Sequence, residues 1–139
     1  MRGKVDIRKS LQASFKDGVF ASLMSGVTDY YVIPFALFLG ATVQQVGWVS
    51  GIPSLLGSVS QLFAVRAVLW VGSRLRLLIR AVAAQATLLV VIGTVAWMNF
   101  SHPVEFFLAI LVLFVVCGAV AGPAWGSLMT DYIPTRKRG

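Results

Sequence analysis

Charge is scarce in this chain. Only 12% of its 139 residues are charged, where a soluble domain carries about 25%. Acids are scarcer still, five against twelve Lys and Arg. Cysteine occurs once, at Cys117, which excludes an internal disulfide and a cysteine-based zinc site. Cys117 sits in an apolar run and reads as a packing residue. Histidine also occurs once. His102 has no companion ligands at metal spacing, so neither a metal nor another cofactor is expected. Nucleophile motifs, phosphate-binding loops and paired carboxylates are missing, and no enzymatic activity is expected. Strand-like alternation is missing as well, which speaks against a β-barrel.

Apolar residues fill the space that charge leaves. They make up 58% of the chain, and the mean hydropathy is +0.83. A small soluble domain buries only about two-thirds of the surface its chain exposes. The composition therefore excludes a soluble enzyme, a disordered chain and a disulfide-rich secreted module, and leaves an integral membrane protein. Four long apolar runs cover residues 18–39, 46–71, 77–97 and 104–129. About 20 helical residues cross a 30 Å hydrocarbon core, and in lipid only a helix satisfies its own backbone. The expected fold is all-α: one membrane domain, 1–139, of four transmembrane helices in an up-down array. The first run is too long for a signal-peptide core and holds Asp29 in its middle, so it reads as a retained span. The stretch Leu11 to Phe15 reads as a short interfacial lead-in turn.

The net charge of +7 is placed unevenly. Arg2, Lys4, Arg8, Lys9 and Lys16 precede the first run. Arg74, Arg76 and Arg80 lie at the link between the second and third, and Arg136, Lys137 and Arg138 end the chain. The links 40–45 and 98–103 hold no Lys or Arg. Eleven of the twelve basic residues thus fall on one side. The positive-inside rule places both termini in the cytoplasm and the protein, multi-pass, in the cell membrane. This distribution points to a lipid bilayer rather than to nucleic acid. The twelfth, Arg66, either snorkels to the cytoplasmic interface or faces a cavity. Trp48, Trp70 and Trp97 fall near the expected interfaces.

Within the runs, Gly118, Gly122 and Gly126 recur every fourth residue, as do Gly18, Ser22 and Gly26. Such faces let helix backbones approach closely, and packing of the first and fourth helices through them is expected. Pro34, Pro53 and Pro123 lie inside three of the runs and invite kinks. Asp29 is the most informative polar residue, because a mid-span carboxylate is costly unless paired or neutralised. It shares a helical face with Ser22, Ser25 and Gly26, and Tyr30 and Tyr31 follow it. Either it serves a proton or substrate site, or it is a structural carboxylate bonded to a neighbouring helix. Gln61 shares a face with Ser54, Gly57 and Ser58, and Gln85 lies in the third run. Either glutamine could donate to Asp29, line a cavity or join helices.

Two segments carry a family resemblance. One is Gly72-Ser73-Arg74-Leu75-Arg76, preceded by Gln61-Leu62. The other is Gly122-Pro123-Ala124-Trp125-Gly126, followed by Asp131-Tyr132-Ile133-Pro134-Thr135-Arg136-Lys137-Arg138-Gly139. With the lead-in Phe15-Lys16-Asp17-Gly18 and the stretch Gly47 to Gly57, they resemble the major facilitator superfamily of secondary transporters. Members carry a glycine-plus-basic motif between helices 2 and 3, and an acid, proline and basic-glycine pattern between helices 4 and 5. Leu69 and Trp70 stand where the family has an acid and a base. The resemblance implies that the four helices belong to a six-helix half, and that the chain is the N-terminal part of a transporter of about twelve helices. It implies a small-molecule solute, with or without coupled protons, moved by alternating access against the transporter's remaining helices. The four helices alone are not expected to transport. It also implies a charge clamp between Asp131 and Arg74 or Arg76, the alternative being that Asp131 meets its own tail at Arg136 or Arg138. Two other readings stay open: a complete four-helix multidrug efflux protein acting as a dimer, and a membrane scaffold or accessory subunit that does not transport.

Overall fold

The computed structural model describes residues 7–98 and 101–132, with side chains left undescribed at 7–14, 17 and 129–132. Five helices follow one another: α1 Ile7–Phe38, α2 Val43–Leu62, α3 Ala64–Val71, α4 Arg74–Val95 and α5 Pro103–Tyr132. No strand occurs among the described residues. The protein is therefore all-helical. Three helices are long and apolar enough to cross a membrane, or four if α2 and α3 count as one broken span.

That break is the main departure from the expected run 46–71. The chain bends by 57° between α2 and α3, and one residue, Phe63, carries the bend with φ −93° and ψ −3°. Its N–H closes a tight turn on the Ser60 carbonyl at 3.0 Å. Pro53 lies ten residues earlier, and α1, α2 and α5 all continue through their internal prolines. A membrane helix tolerates proline where neighbours satisfy the freed carbonyl. α1 also differs from expectation, since it runs unbroken from Ile7 and includes the stretch 11–15.

The helix ends explain themselves locally. Gly40 has φ +89°, and Ala41 N–H returns to the Ala36 carbonyl at 3.0 Å while Gly40 N–H returns to Leu37 at 2.9 Å. This pair of bonds closes α1 and needs a residue at ease with positive φ. Two residues later Thr42 caps α2. Its Oγ1 accepts from Gln45 N–H at 3.3 Å, and Gln45 Oε1 accepts from Thr42 N–H at 2.9 Å, so two orphan donors are satisfied reciprocally. Gly72, at φ +70°, ends α3 in the left-handed conformation, and the Ser73 hydroxyl caps α4.

α5 sits at the centre and touches each of the other four helices. A third of its apolar span is buried (33%), against 6% for α1 and 11% for α4. The tightest packing lies toward the links that lack basic residues. There Ala36, Val49, Phe107 and Leu111 form a closed cluster, and Phe35 meets Phe107 edge-on at 5.1 Å between ring centroids. α1 joins this cluster only through its last turns, Val32 to Leu39. Its earlier apolar residues, among them Phe20, Leu23 and Val27, stay exposed. In lipid such exposure is not penalised, because the tails are as apolar as leucine. Hydroxyls inside the spans bond back one turn: Ser50 to Val46, Ser54 to Ser50, Ser58 to Ser54 and Thr87 to Ala83, at 2.9 to 3.0 Å. Each thereby satisfies its own donor without a partner helix.

Candidate functional site

Asp29 stands seven residues, two helical turns, before Ala36, so both lie on one stripe of α1. Ala36 is fully buried and Asp29 is exposed. The difference is the docking of α1, which covers the stripe at its end and leaves it open lower down. Ser22 and Ser25 on the same face are exposed, and Gly26 is half-exposed. Among the described residues no group hydrogen-bonds or ion-pairs with the Asp29 carboxylate. Tyr30 is 82% exposed. Tyr31 and Thr28 border an apolar cavity of about 340 Å³ between α1, α4 and α5, with Phe107 and Leu111 at its floor. The Thr28 hydroxyl is spent on the Met24 carbonyl at 2.8 Å.

The two glutamines go elsewhere. Gln85 is the buried polar side chain of the core, 7% exposed. Its amide donates to the Phe114 carbonyl on α5 at 3.1 Å, so it joins α4 to α5 and does not reach Asp29. It fits there because Gly118 has no side chain: a Cβ on Gly118 would lie 2.6 Å from Gln85 Nε2. Gln61 is exposed and borders a polar cleft of about 310 Å³ between α2 and α5, together with Ser54, Gly57, Ser58 and Gly118. Gly57 makes the close approach there, since a Cβ on it would meet Val115 Cγ1 at 2.8 Å. The four candidate residues Asp29, Tyr30, Gln61 and Gln85 thus occupy three separate places.

The small-residue faces of α1 and α5 do not meet closely. Gly18, Gly26, Gly122 and Gly126 have open space where a Cβ would stand. An open cleft of about 560 Å³ separates the two helices at the basic end, lined by Gly18, Ser22 and Trp125 among others. Gly118, expected to face α1, receives Gln85 of α4 instead. In the loop motif, Gly72 and Ser73 shape the turn into α4, and Arg74 and Arg76 begin that helix with both side chains exposed. The Asp131 side chain and Arg136 lie outside the described residues, and with them the expected clamp.

One polar group escaped the sequence reading. Gln45 Nε2 donates to Glu105 Oε1 at 2.9 Å, and His102 Nδ1 lies 4.0 Å from Glu105 Oε2. The group ties the start of α2 to the start of α5 on the face without basic residues. The signal was present: Thr42 and Gln45 have the spacing of a reciprocal helix cap, which marks a helix start at 43 rather than 46.

Chemically, the arrangement offers an open carboxylate in the middle of a span, able to carry a proton or to pair with a cation. The described residues contain no group of three or more potential metal ligands. No family model matches this chain, nor does any curated protein or solved structure.

Proposed function

We propose that the chain forms the N-terminal part of a secondary active transporter in the cell membrane, with both termini in the cytoplasm, moving a small solute by alternating access. The observation that carries this reading is Asp29. A carboxylate exposed at mid-span costs several kcal/mol in lipid. It persists where a water-filled path reaches it, as in a transporter in which repeats pack about a midplane site. The open cleft between α1 and α5 and the polar cleft at Gln61 support the same reading, since each leaves a face for further helices. The resemblance of the 72–76 and 122–139 segments to the major facilitator superfamily adds the expected reaction type.

The test begins with the coding DNA beyond the Gly139 codon, where about eight further apolar runs are expected. In the protein encoded by the complete reading frame, Asp29→Asn is expected to abolish proton-driven uptake while sparing solute exchange. A stop codon at once after Gly139, or no solute uptake by the complete protein, would overturn the reading; uptake by Asp29→Asn equal to that of the parent would make Asp29 structural.

A further inference from the structure

α2 matches the hydrocarbon core in length, although it is apolar enough to count as a span only together with α3. Its 20 residues rise about 30 Å. Length alone does not require the eight residues of α3 inside the core, and the 57° bend turns them out of the direction of α2. α3 sorts its residues by face. Ala64 is buried, and Ala67, Val68 and Val71 are half-buried, on the side that touches α4 and α5. The outer side has two flanks, as a 100° step per residue requires. Val65 and Leu69, 69% and 76% exposed, make an apolar flank. Arg66 and Trp70, one turn apart, make the other, and Trp70 is 96% exposed. The Arg66 guanidinium carbon lies 6.0 Å from the centre of the Phe63 ring. Beyond the Gly72 turn, Arg76 and Arg80 are exposed one turn apart on α4. The sequence from residue 30 to residue 104 contains no Asp or Glu, so this end of the α2–α4 hairpin carries positive charge alone.

We propose that α3 is an interfacial anchor whose Arg66–Trp70 flank, with Arg76 and Arg80, binds the phosphate headgroups of anionic phospholipid. Guanidinium groups match phosphate oxygens in a fork, tryptophan settles at headgroup depth, and Val65 and Leu69 enter the acyl boundary. Positive charge confined to one end selects an anionic over a zwitterionic lipid. The proposal rests on the membrane-spanning reading and not on transport, so either can fail alone.

The experiment reconstitutes the full chain in phosphatidylcholine vesicles containing phosphatidylglycerol and follows tryptophan fluorescence with one lipid or the other brominated. Subtracting the Trp70→Phe signal isolates Trp70. Brominated phosphatidylglycerol should quench Trp70 with a preference of about fivefold at low salt, the effect of one arginine near an anionic surface. Arg66→Gln should bring the preference toward one, and Arg66→Lys should keep most of it. Should Arg66→Gln not fold, Arg76→Gln with Arg80→Gln gives the same reading. Bromines near the headgroup should quench more than bromines near the bilayer centre. Equal quenching by the two lipids, a preference unmoved by these variants, deeper quenching at the bilayer centre, or loss of the preference on adding inorganic phosphate at matched ionic strength would each overturn the proposal.

Discussion

Three glycines differ in what they are needed for, and the difference sets the cost of replacing each. Gly118 makes room for a flexible side-chain end. Gly118→Ala should push the Gln85 amide off the Phe114 carbonyl and cost about 1 kcal/mol, the worth of an interhelical hydrogen bond in a membrane. Denaturant titration in mixed micelles checks this, and the penalty should vanish in a Gln85→Ala background. Gly57 meets Val115, whose branched side chain has few rotamers to retreat into. Gly57→Ala should therefore cost more, about 1 to 3 kcal/mol by overpacking, in the same titration. Gly72 meets nothing, but its φ is +70°. Gly72→Ala should cost about 1 to 2 kcal/mol through backbone strain alone, independent of any partner. A sequence marks all three as glycine. It separates them only where the neighbours also speak, as Ser73 and Arg74 do after Gly72. No residue near Gly118 signals that Gln85, more than thirty positions earlier, reaches it.

Helices were legible where they are long and apolar, since length and composition alone decide whether a segment can cross a membrane. The break at Phe63 was not, because no proline or glycine marks it and the apolar pattern runs through it unchanged. The start of α2 was legible in principle from Thr42 and Gln45, whose side chains cap the helix. Thr42→Ala should lower stability by about 1 kcal/mol, read as a shift of the thermal melt in detergent. The docking of α1 is concentrated at one end, which also could not be read from its evenly apolar sequence. Phe107 is 1% exposed and holds α1 through Phe35 and Ala36. Phe107→Ala should cost about 3 kcal/mol or more by leaving a cavity. It should also free α1, so that a disulfide between Ala36→Cys and Val49→Cys forms more slowly than in the parent background.

The described residues form an array of helices around α5, with Lys16, Arg74, Arg76 and Arg80 toward one end and the closed apolar cluster at the other. The candidate residues were legible one by one but not in their grouping: Gln85 bonds the Phe114 carbonyl, Gln61 borders the cleft between α2 and α5, and Asp29 stays exposed because α1 leans on the bundle only near Ala36. What would cover Asp29 is the packing of α1 lower down, and no periodicity in one helix fixes the position of another. The central claim is that Asp29 stands in a hydrated path rather than in lipid. Thiol labelling tests it most directly, in cells expressing Asp29→Cys from the protein's own gene with Cys117→Ser. A membrane-impermeant maleimide should label Asp29→Cys at a rate comparable to Val43→Cys, which is 91% exposed beside a link. Leu113→Cys, 54% exposed on the apolar surface of α5, should stay unlabelled. If Asp29→Cys proves as unreactive as Leu113→Cys, the carboxylate faces lipid or a dry interface, and the transport reading loses the observation that carries it.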